Sequence, residues 1–279
     1  MSYITFKTLG QAGDLGSQIQ QYASLCAIAK HTGKRIVFPK SCIELGWGFK
    51  FNKVLDVSVE LLPDDFFKDF VDIAPKANMA FDADIFNLDK YTNYNITELL
   101  HIYRYWWDVC REDVANWNWK TQYFQSAQDQ YNNIKLFGKE TVAIHVRRGD
   151  YTLPQHHHFC QLDHDYYWNA LQYFLQDIDR YQFIVFSNDI QWCRQNLIEE
   201  GEIVTFLEPG EDFNDLVLMS LCNHNIVANS SYSWWAAFRN KNPNKKVICP
   251  TNYIKQYSPA NFLNGNYYPS TWINIDNTK

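Results

Sequence analysis

The sequence predicts an α/β protein built from two doubly wound domains, and three observations carry that prediction. Short β-branched runs alternate with helix-length segments throughout 140–250. A strand–helix–strand pattern opens the chain, as in a second layered domain. At 279 residues the chain can also bury two cores of ordinary size.

In the first half, a strand is expected over 3–7, a glycine-containing turn over 10–16 and a helix over 17–30. Ile19, Tyr22, Cys26 and Ala29 fall on one face of that helix, and Gly33 is placed to stop it. A second strand follows over 35–38. The pattern over 42–95 is irregular, and helices are expected over 97–107 and 113–128. The polar stretch 126–139, with Asn132, Asn133 and Gly138, reads as the interdomain linker, dividing the chain into 1–135 and 139–279.

Beyond the linker the alternation is regular. Strands are expected over 142–146, 182–187, 203–206, 225–228 and 246–249. Helices are expected between them over 164–177, 190–199, 212–222 and 231–239, the first capped by Asp163, whose carboxylate accepts from first-turn amides. Five parallel strands joined by helices make a doubly wound sheet.

Composition narrows the function. A net charge of −6 provides no electrostatic footprint for nucleic acid. Met1 runs almost directly into the first strand, leaving no room for a signal peptide, and no run approaches the ~20 apolar residues that span a bilayer. The expectation is a cytoplasmic protein, at most peripheral at the inner face of a membrane. Cys26, Cys42, Cys110, Cys160, Cys193, Cys222 and Cys249 are scattered without a CxxC, which suits reduced thiols. Aromatic residues cluster at Tyr103–Trp107, Trp117, Trp119 and Trp234–Trp235; such rings stack on sugars, but core packing is their commoner role. His156, His157 and His158 stand alone, without carboxylates at ligand spacing, so a solvated loop is expected and no metal site.

The chemistry concentrates at TVAIHVRRGDY, 141–151. The strand empties directly into Arg147, Arg148, Gly149 and Asp150. Ligands bind at the carboxyl ends of parallel strands, and planar guanidiniums match phosphate oxygens in bidentate geometry. Salt bridging to nearby carboxylates is the plainer use of such a pair. A second strand breaks into Asn229, Ser230, Ser231, Tyr232 and Ser233 before an aromatic helix. These hydroxyls are ordinary N-caps, yet a helix N-terminus is also an anion cradle. Together the two edges can neutralise a diphosphate without a metal ion. Asp215, a carboxylate that would repel phosphate, is better suited to accept from a nucleobase or ribose. Ser187, Asn188 and Asp189 end another strand, where an N-cap explains them equally well.

HVRRGDY (145–151), FSND (186–189), D-x-x-L-M-S-x-C (215–222) and ANSSYSWWAAF (228–238) resemble the motifs of glycosyltransferase family 11, the α-1,2-fucosyltransferases that use GDP-L-fucose. The likeness covers about 140–240. GDLGSQIQQYA (13–23) is similar to the family's GGLGNQ-x-x-QYA segment, departing at Asp14, Ser17 and Gln20. The resemblance implies a GT-B-like fold, two Rossmann-type domains facing across a cleft, and metal-independent inversion at the anomeric carbon. It places Arg147 on the β-phosphate of GDP, with Arg148 on the loop or the same charge. His145 would lie beside guanine or ribose, Asn229, Ser230, Ser231 and local amides at the pyrophosphate, and Asp215 at guanine. Asp14 and Gln18 fall on the acceptor side or its loop. Asp150, His158 and Asp14 are each chemically able to serve as general base, and Asp150 is equally suited to locking the arginine loop.

The implied reaction moves L-fucose from GDP-β-L-fucose to a hydroxyl, the 2-OH, of a galactose-containing oligosaccharide or lipid-linked glycan. No cofactor is expected. The alternatives are another GDP-deoxyhexose, an α-1,3 linkage, or a noncatalytic nucleotide- or sugar-binding module. Retention of both Arg147 and Ser231 argues against the last.

Overall fold

The computed structural model describes residues 1–277 except 12, 45, 76–80 and 256–266. The chain divides into two compact units, Met1–Lys120 and Thr121–Lys279. Both are α/β, as expected, and every pairing between their strands is parallel.

The first unit contains β1 (Tyr3–Thr5), α1 (Leu15–Thr32), β2 (Arg35–Ile36), β3 (Phe38–Pro39), α2 (Phe51–Val54), β4 (Leu61–Leu62), β5 (Val71–Ile73), β6 (Tyr94–Ile96) and α3 (Arg104–Ala115). Its main sheet has the order β2-β1-β6-β5. The carboxylate of Asp14 caps α1 by accepting from the Leu15 amide at 2.7 Å. Gly33 ends the helix in the left-handed conformation (φ 68°) that glycine adopts without a Cβ penalty. Burial extends well beyond the expected stripe: Gln18, Gln20, Gln21 and Ser24 are also buried, so α1 is enclosed on more than one face.

Three expectations for this region are corrected. The strand expected over 35–38 is split, because Pro39 has no amide to continue the first ladder, and Phe38–Pro39 pairs with β4 instead. The two helices expected over 97–107 and 113–128 start later, at Arg104 and Thr121. Leu100, His101 and Ile102 are buried outside any helix, and Asn116 caps the end of α3. The polar 126–139 stretch is not a linker: through Ile134 it is α4 (Thr121–Ile134), and Asn214 donates to its Gln130 at 2.6 Å. The boundary between compact units falls at Lys120, before that helix.

The second unit continues with β7 (Glu140–Val146), α5 (His164–Leu175), β8 (Tyr181–Ser187), α6 (Ile190–Asn196), β9 (Val204–Phe206), α7 (Asp212–Leu221), β10 (His224–Ile226), α8 (Ser231–Arg239), β11 (Val247–Pro250) and β12 (Ile273–Ile275). Asp163 caps α5 as expected, accepting from the amides of Asp165 and Tyr166. β12 is a sixth strand, too short and isolated in sequence to be read as one. β7 is the spine of the core: Val142, Ile144 and Val146 are fully buried against Phe183 and Val185 of β8 and Tyr167, Leu171 and Phe174 of α5. Each such side chain contributes roughly 1.5–3 kcal/mol of burial.

Counted from β7, the sheet order β9-β8-β7-β10-β11-β12 is 3-2-1-4-5-6, the Rossmann arrangement. The winding reverses between β7 and β10, which opens a crevice at their carboxyl ends.

Candidate active site

Three chain segments leave the sheet side by side at this reversal. Ile144 of β7 is in register with Ile226 of β10, and Val146 with Ser187 of β8. Arg147, Asn188 and Asn229, from three separated stretches of sequence, are thereby delivered to one edge.

Arg147 is held rather than free. Its guanidinium donates to Asp150 at 2.9 Å and lies 5.4 Å from the Tyr151 ring centroid. Its Nε is buried without a hydrogen-bond partner, and about a third of the side chain is exposed. Arg148 turns toward β8. Its Nε lies 3.4 Å from Asp189, its guanidinium covers Trp192 at 4.2 Å, and its amide donates to Asn188 at 2.9 Å. Of the two roles expected for Arg148, support of the loop is the one these contacts describe.

Asp150 accepts on both oxygens, from Arg147 and, at 3.4 Å, from the Asn188 amide. That is the geometry of a lock on the arginine loop. Gly149 makes the lock possible, since a Cβ there would lie 2.4 Å from Asn188 Nδ2. Gly149→Ala should therefore displace Asn188, loosen Asp150 and lower kcat/KM by roughly tenfold to a hundredfold while the fold survives, a loss readable in steady-state kinetics beside circular dichroism.

His145 is buried beside Tyr232, with ring centroids 5.5 Å apart, and its Nδ1 has no partner. Burial, reinforced by the Arg147 charge, pushes its pKa down to about 3, so the imidazole is neutral. The Asn229 amide donates to the carbonyls of Cys160 and Tyr253 at 2.8 and 2.9 Å, while its Oδ1 is fully buried and unpartnered. Buried polar atoms without a partner thus lie on His145 of β7, on Arg147 just past it and on Asn229 just past β10. Buried polar groups are normally satisfied, so each is a candidate contact for a polar ligand.

The serines differ from the expected open cradle. Ser230 is an ordinary N-cap, its hydroxyl accepting from the Tyr232 amide at 3.3 Å. Ser231 is buried. The α8 N-terminus is thus partly capped from within by Ser230, while about a third of the Arg147 side chain is exposed. Asp215 lies in the first turn of α7, near Asp212, whose carbonyl accepts from the Tyr232 hydroxyl. Burial raises the Asp215 pKa to about 6, only partly offset by the Gly210 amide.

The other candidates do different work. His158 is on an exposed turn, its ring 4.2 Å from Phe159 and its carbonyl accepting from the Lys255 amide. Asp14 and Gln18 belong to the first unit. Asp14, besides capping α1, pairs with Lys50 at 2.7 Å. Gln18 is fully buried, donating to the Gly48 carbonyl at 2.9 Å and accepting from the Lys50 amide at 2.8 Å, so it clamps the loop before α2. Trp106, Trp234 and Trp235 are core residues. Tyr253 and Tyr267, whose ring centroids lie 4.1 Å apart, were not singled out from the sequence, and Tyr151 entered only as the last residue of the 141–151 motif.

A Rossmann-ordered sheet with a guanidinium fork at its reversal point defines a doubly wound α/β protein with a cationic edge where such sheets receive ligands. The model of glycosyl transferase family 11 matches residues 3–276, and the chain belongs to that family. Over 150 residues it is 33% identical to the O-antigen biosynthesis glycosyltransferase WbnK of Escherichia coli, covering 52% of this chain and 48% of that protein. It is 30% identical over 160 residues to an alpha-1,2-colitosyltransferase of Escherichia coli, covering 52% and 53%. Human galactoside alpha-(1,2)-fucosyltransferase 1 is 33% identical over 102 residues, 35% of this chain and 28% of that one. These alignments span about half, or less, of the curated relatives' length. The fold is shared with POFUT1 in complex with GDP-fucose, at TM-score 0.55 and 12% identity, covering 88% of this chain and 95% of that one. It is also shared with the α-1,6-fucosyltransferase NodZ of Bradyrhizobium, at TM-score 0.51 and 13% identity over 85% and 92%.

Proposed function

We propose that this chain transfers L-fucose from GDP-β-L-fucose to a hydroxyl of a galactoside, the 2-OH, with inversion to an α-fucoside. The observation that carries the reading is Arg147, braced by Asp150 and Tyr151 beside unpartnered His145 and Asn229 atoms, in a chain of family 11. Expulsion of GDP builds negative charge on the β-phosphate, and a donor fixed in advance at that oxygen is worth about 3–4 kcal/mol. With Asp150 engaged on both oxygens, it positions Arg147, and the acceptor's base is another group. Asp215 accepts from the paired N–H edge of guanine.

The relatives named for α-1,2 transfer and for galactosides support the linkage and the acceptor. The colitosyltransferase relative favours one second reading, the same site carrying another GDP-deoxyhexose. Among the described residues no helix is long and apolar enough to cross a membrane, and the cysteines are free. We place the reaction in a reducing, cytoplasmic setting, on an oligosaccharide or a lipid-linked glycan.

Incubating GDP-fucose and other GDP-deoxyhexoses with a panel of galactosides, followed by mass analysis and proton NMR of the products, tests the reading. An α-linked fucoside is expected, and a β-linked product or a preference for UDP donors would overturn it. Because arginine and backbone dipoles carry the leaving-group charge, activity should persist in excess EDTA and change only modestly with added Mg²⁺ or Mn²⁺. Loss on chelation, restored by one divalent ion, would defeat metal independence.

A further inference from the structure

One tryptophan of the first unit is held out in solvent. Trp106 is fully buried in the core, whereas Trp47 keeps 57% of its surface exposed. A single exposed aromatic is ordinary on a protein surface. What distinguishes Trp47 is where its loop sits and how firmly that loop is held.

The order β2-β1-β6-β5 puts β2 and β6 on opposite sides of β1, so the winding of this sheet also reverses at β1. Such a reversal makes the carboxyl ends of the strands the ligand edge of an α/β sheet. The connection from β1 to α1 crosses that edge and ends in Asp14, the N-cap of α1. Trp47 is docked on the same connection, its amide donating to the Gly10 carbonyl at 2.8 Å. Gly46 and Gly48 flank it with positive φ, 53° and 64°. A Cβ would lie 2.8 Å from the Gly10 oxygen at the first and 2.6 Å from the Ile43 oxygen at the second. Beyond them, the buried Gln18 amide bonds the Gly48 carbonyl and the Lys50 amide, and Phe49 and Phe51 are anchored in the core. The indole is thus carried on a backbone fixed in advance, and little ordering remains to oppose binding.

Charged groups border the ring. Lys50 Nζ lies over it, 5.3 Å from the centroid, and pairs with Asp14 at 2.7 Å, both side chains still partly exposed. A flat apolar surface with a carboxylate and an ammonium at its margin suits a pyranose, which offers C–H groups on one face and hydroxyls around its rim. In galactose the axial 4-hydroxyl leaves C3–H, C4–H and C5–H together on the opposite face. We infer that Trp47, bordered by Asp14 and Lys50, is a platform on which the acceptor galactoside stacks, Lys50 taking one face of the indole and the sugar the other. The inference rests on the galactoside acceptor proposed above, and a binding measurement that needs no turnover separates the two.

That measurement is a saturation-transfer NMR titration of methyl β-D-galactopyranoside, with and without GDP, set beside steady-state KM values for GDP-fucose and a galactoside. Three variants are compared: Trp47→Ala, Trp47→Tyr, which keeps an aromatic ring, and Trp168→Ala, which removes an exposed tryptophan of α5 in the second unit. Trp47→Ala should weaken galactoside binding and raise the acceptor KM about tenfold or more, with the GDP-fucose KM within about twofold of wild type. Trp47→Tyr should recover most of the loss, and Trp168→Ala should change neither KM by more than about twofold. Unchanged galactoside affinity in Trp47→Ala, an equal loss in Trp168→Ala, a loss shared equally by donor and acceptor KM, or no galactoside binding by the wild-type protein in either condition would each overturn the inference. Wild-type galactoside binding that Trp47→Ala abolishes, without fucosyl transfer to any galactoside, would support the platform and defeat the transferase reading instead.

Discussion

Replacing Arg147 with alanine should lower turnover by roughly 10²–10³-fold, because it removes the fixed donor at the oxygen where leaving-group charge accumulates. Arg147→Lys should recover little of that loss. An ammonium cannot donate to Asp150 and to a phosphate oxygen in the planar geometry of the fork, nor lie flat over Tyr151. The loss should appear mainly in kcat, since the charge it answers is larger in the transition state than in the bound donor. Asp150→Asn should be milder, as the amide still accepts from one arginine N–H while losing the charge that holds it. Kinetics close to wild type in a folded Arg147→Ala protein would remove this residue from the leaving-group site.

The second large effect is expected at Asp215. Its burial lifts the carboxyl pKa to about 6, with the Asp212 charge adding to the rise and the Gly210 amide opposing it. If the carboxylate receives guanine, GDP should bind at least about tenfold more tightly than UDP or ADP at pH 7.5, because a buried carboxylate without its partners is costly. Between pH 7 and 5 the free protein takes up a proton at this group, so GDP affinity should fall as pH falls. Asp215→Asn should lose the nucleotide preference and flatten that pH dependence.

The stability effect has the opposite sign. A folded-state pKa raised above the ordinary value near 3.9 means the native protein binds the proton more tightly than the unfolded chain. Stability from this group is present below about pH 4 and is lost as pH rises toward 6. At pH 7 the ionised carboxylate is therefore a burden, and Asp215→Asn should raise Tm by roughly 2 °C or more. Calorimetry with three nucleotides and melting curves across pH read both halves. A variant that keeps its GDP preference, or that melts lower at pH 7, would contradict the assignment.

The sequence by itself determined what short-range periodicity and chain stereochemistry control. The strands that became β7 and β8 are buried, largely apolar runs, readable within windows of a few residues. Asp163 and Gly33 act through their own backbone neighbours, so the start of α5 and the stop of α1 were legible without any tertiary contact. The arginine pair at a strand end, and the motifs of family 11, were equally local. Where local preference was weak, the reading failed. Leu100–Ile102 lies in the expected helix but is buried outside any helix, and the polar segment from Ser126 to Ile134 is helical, with Asn214 of α7 donating to Gln130 of α4.

Only the tertiary structure decided the strand order and the partners of the site. Nothing in a run of β-branched residues says that β10 lies beside β7, yet that choice creates the crevice. The Asp150–Asn188 contact joins residues 38 positions apart, and the Tyr151–Asn229 contact joins residues 78 apart. The same distance in sequence hid the state of Asn229, whose side-chain amide is taken by the carbonyls of Cys160 and Tyr253. An exposed amide and an internally capped one have identical sequences. Which it becomes depends on whether a buried carbonyl from elsewhere in the chain needs a partner, and that need arises only after the core has closed.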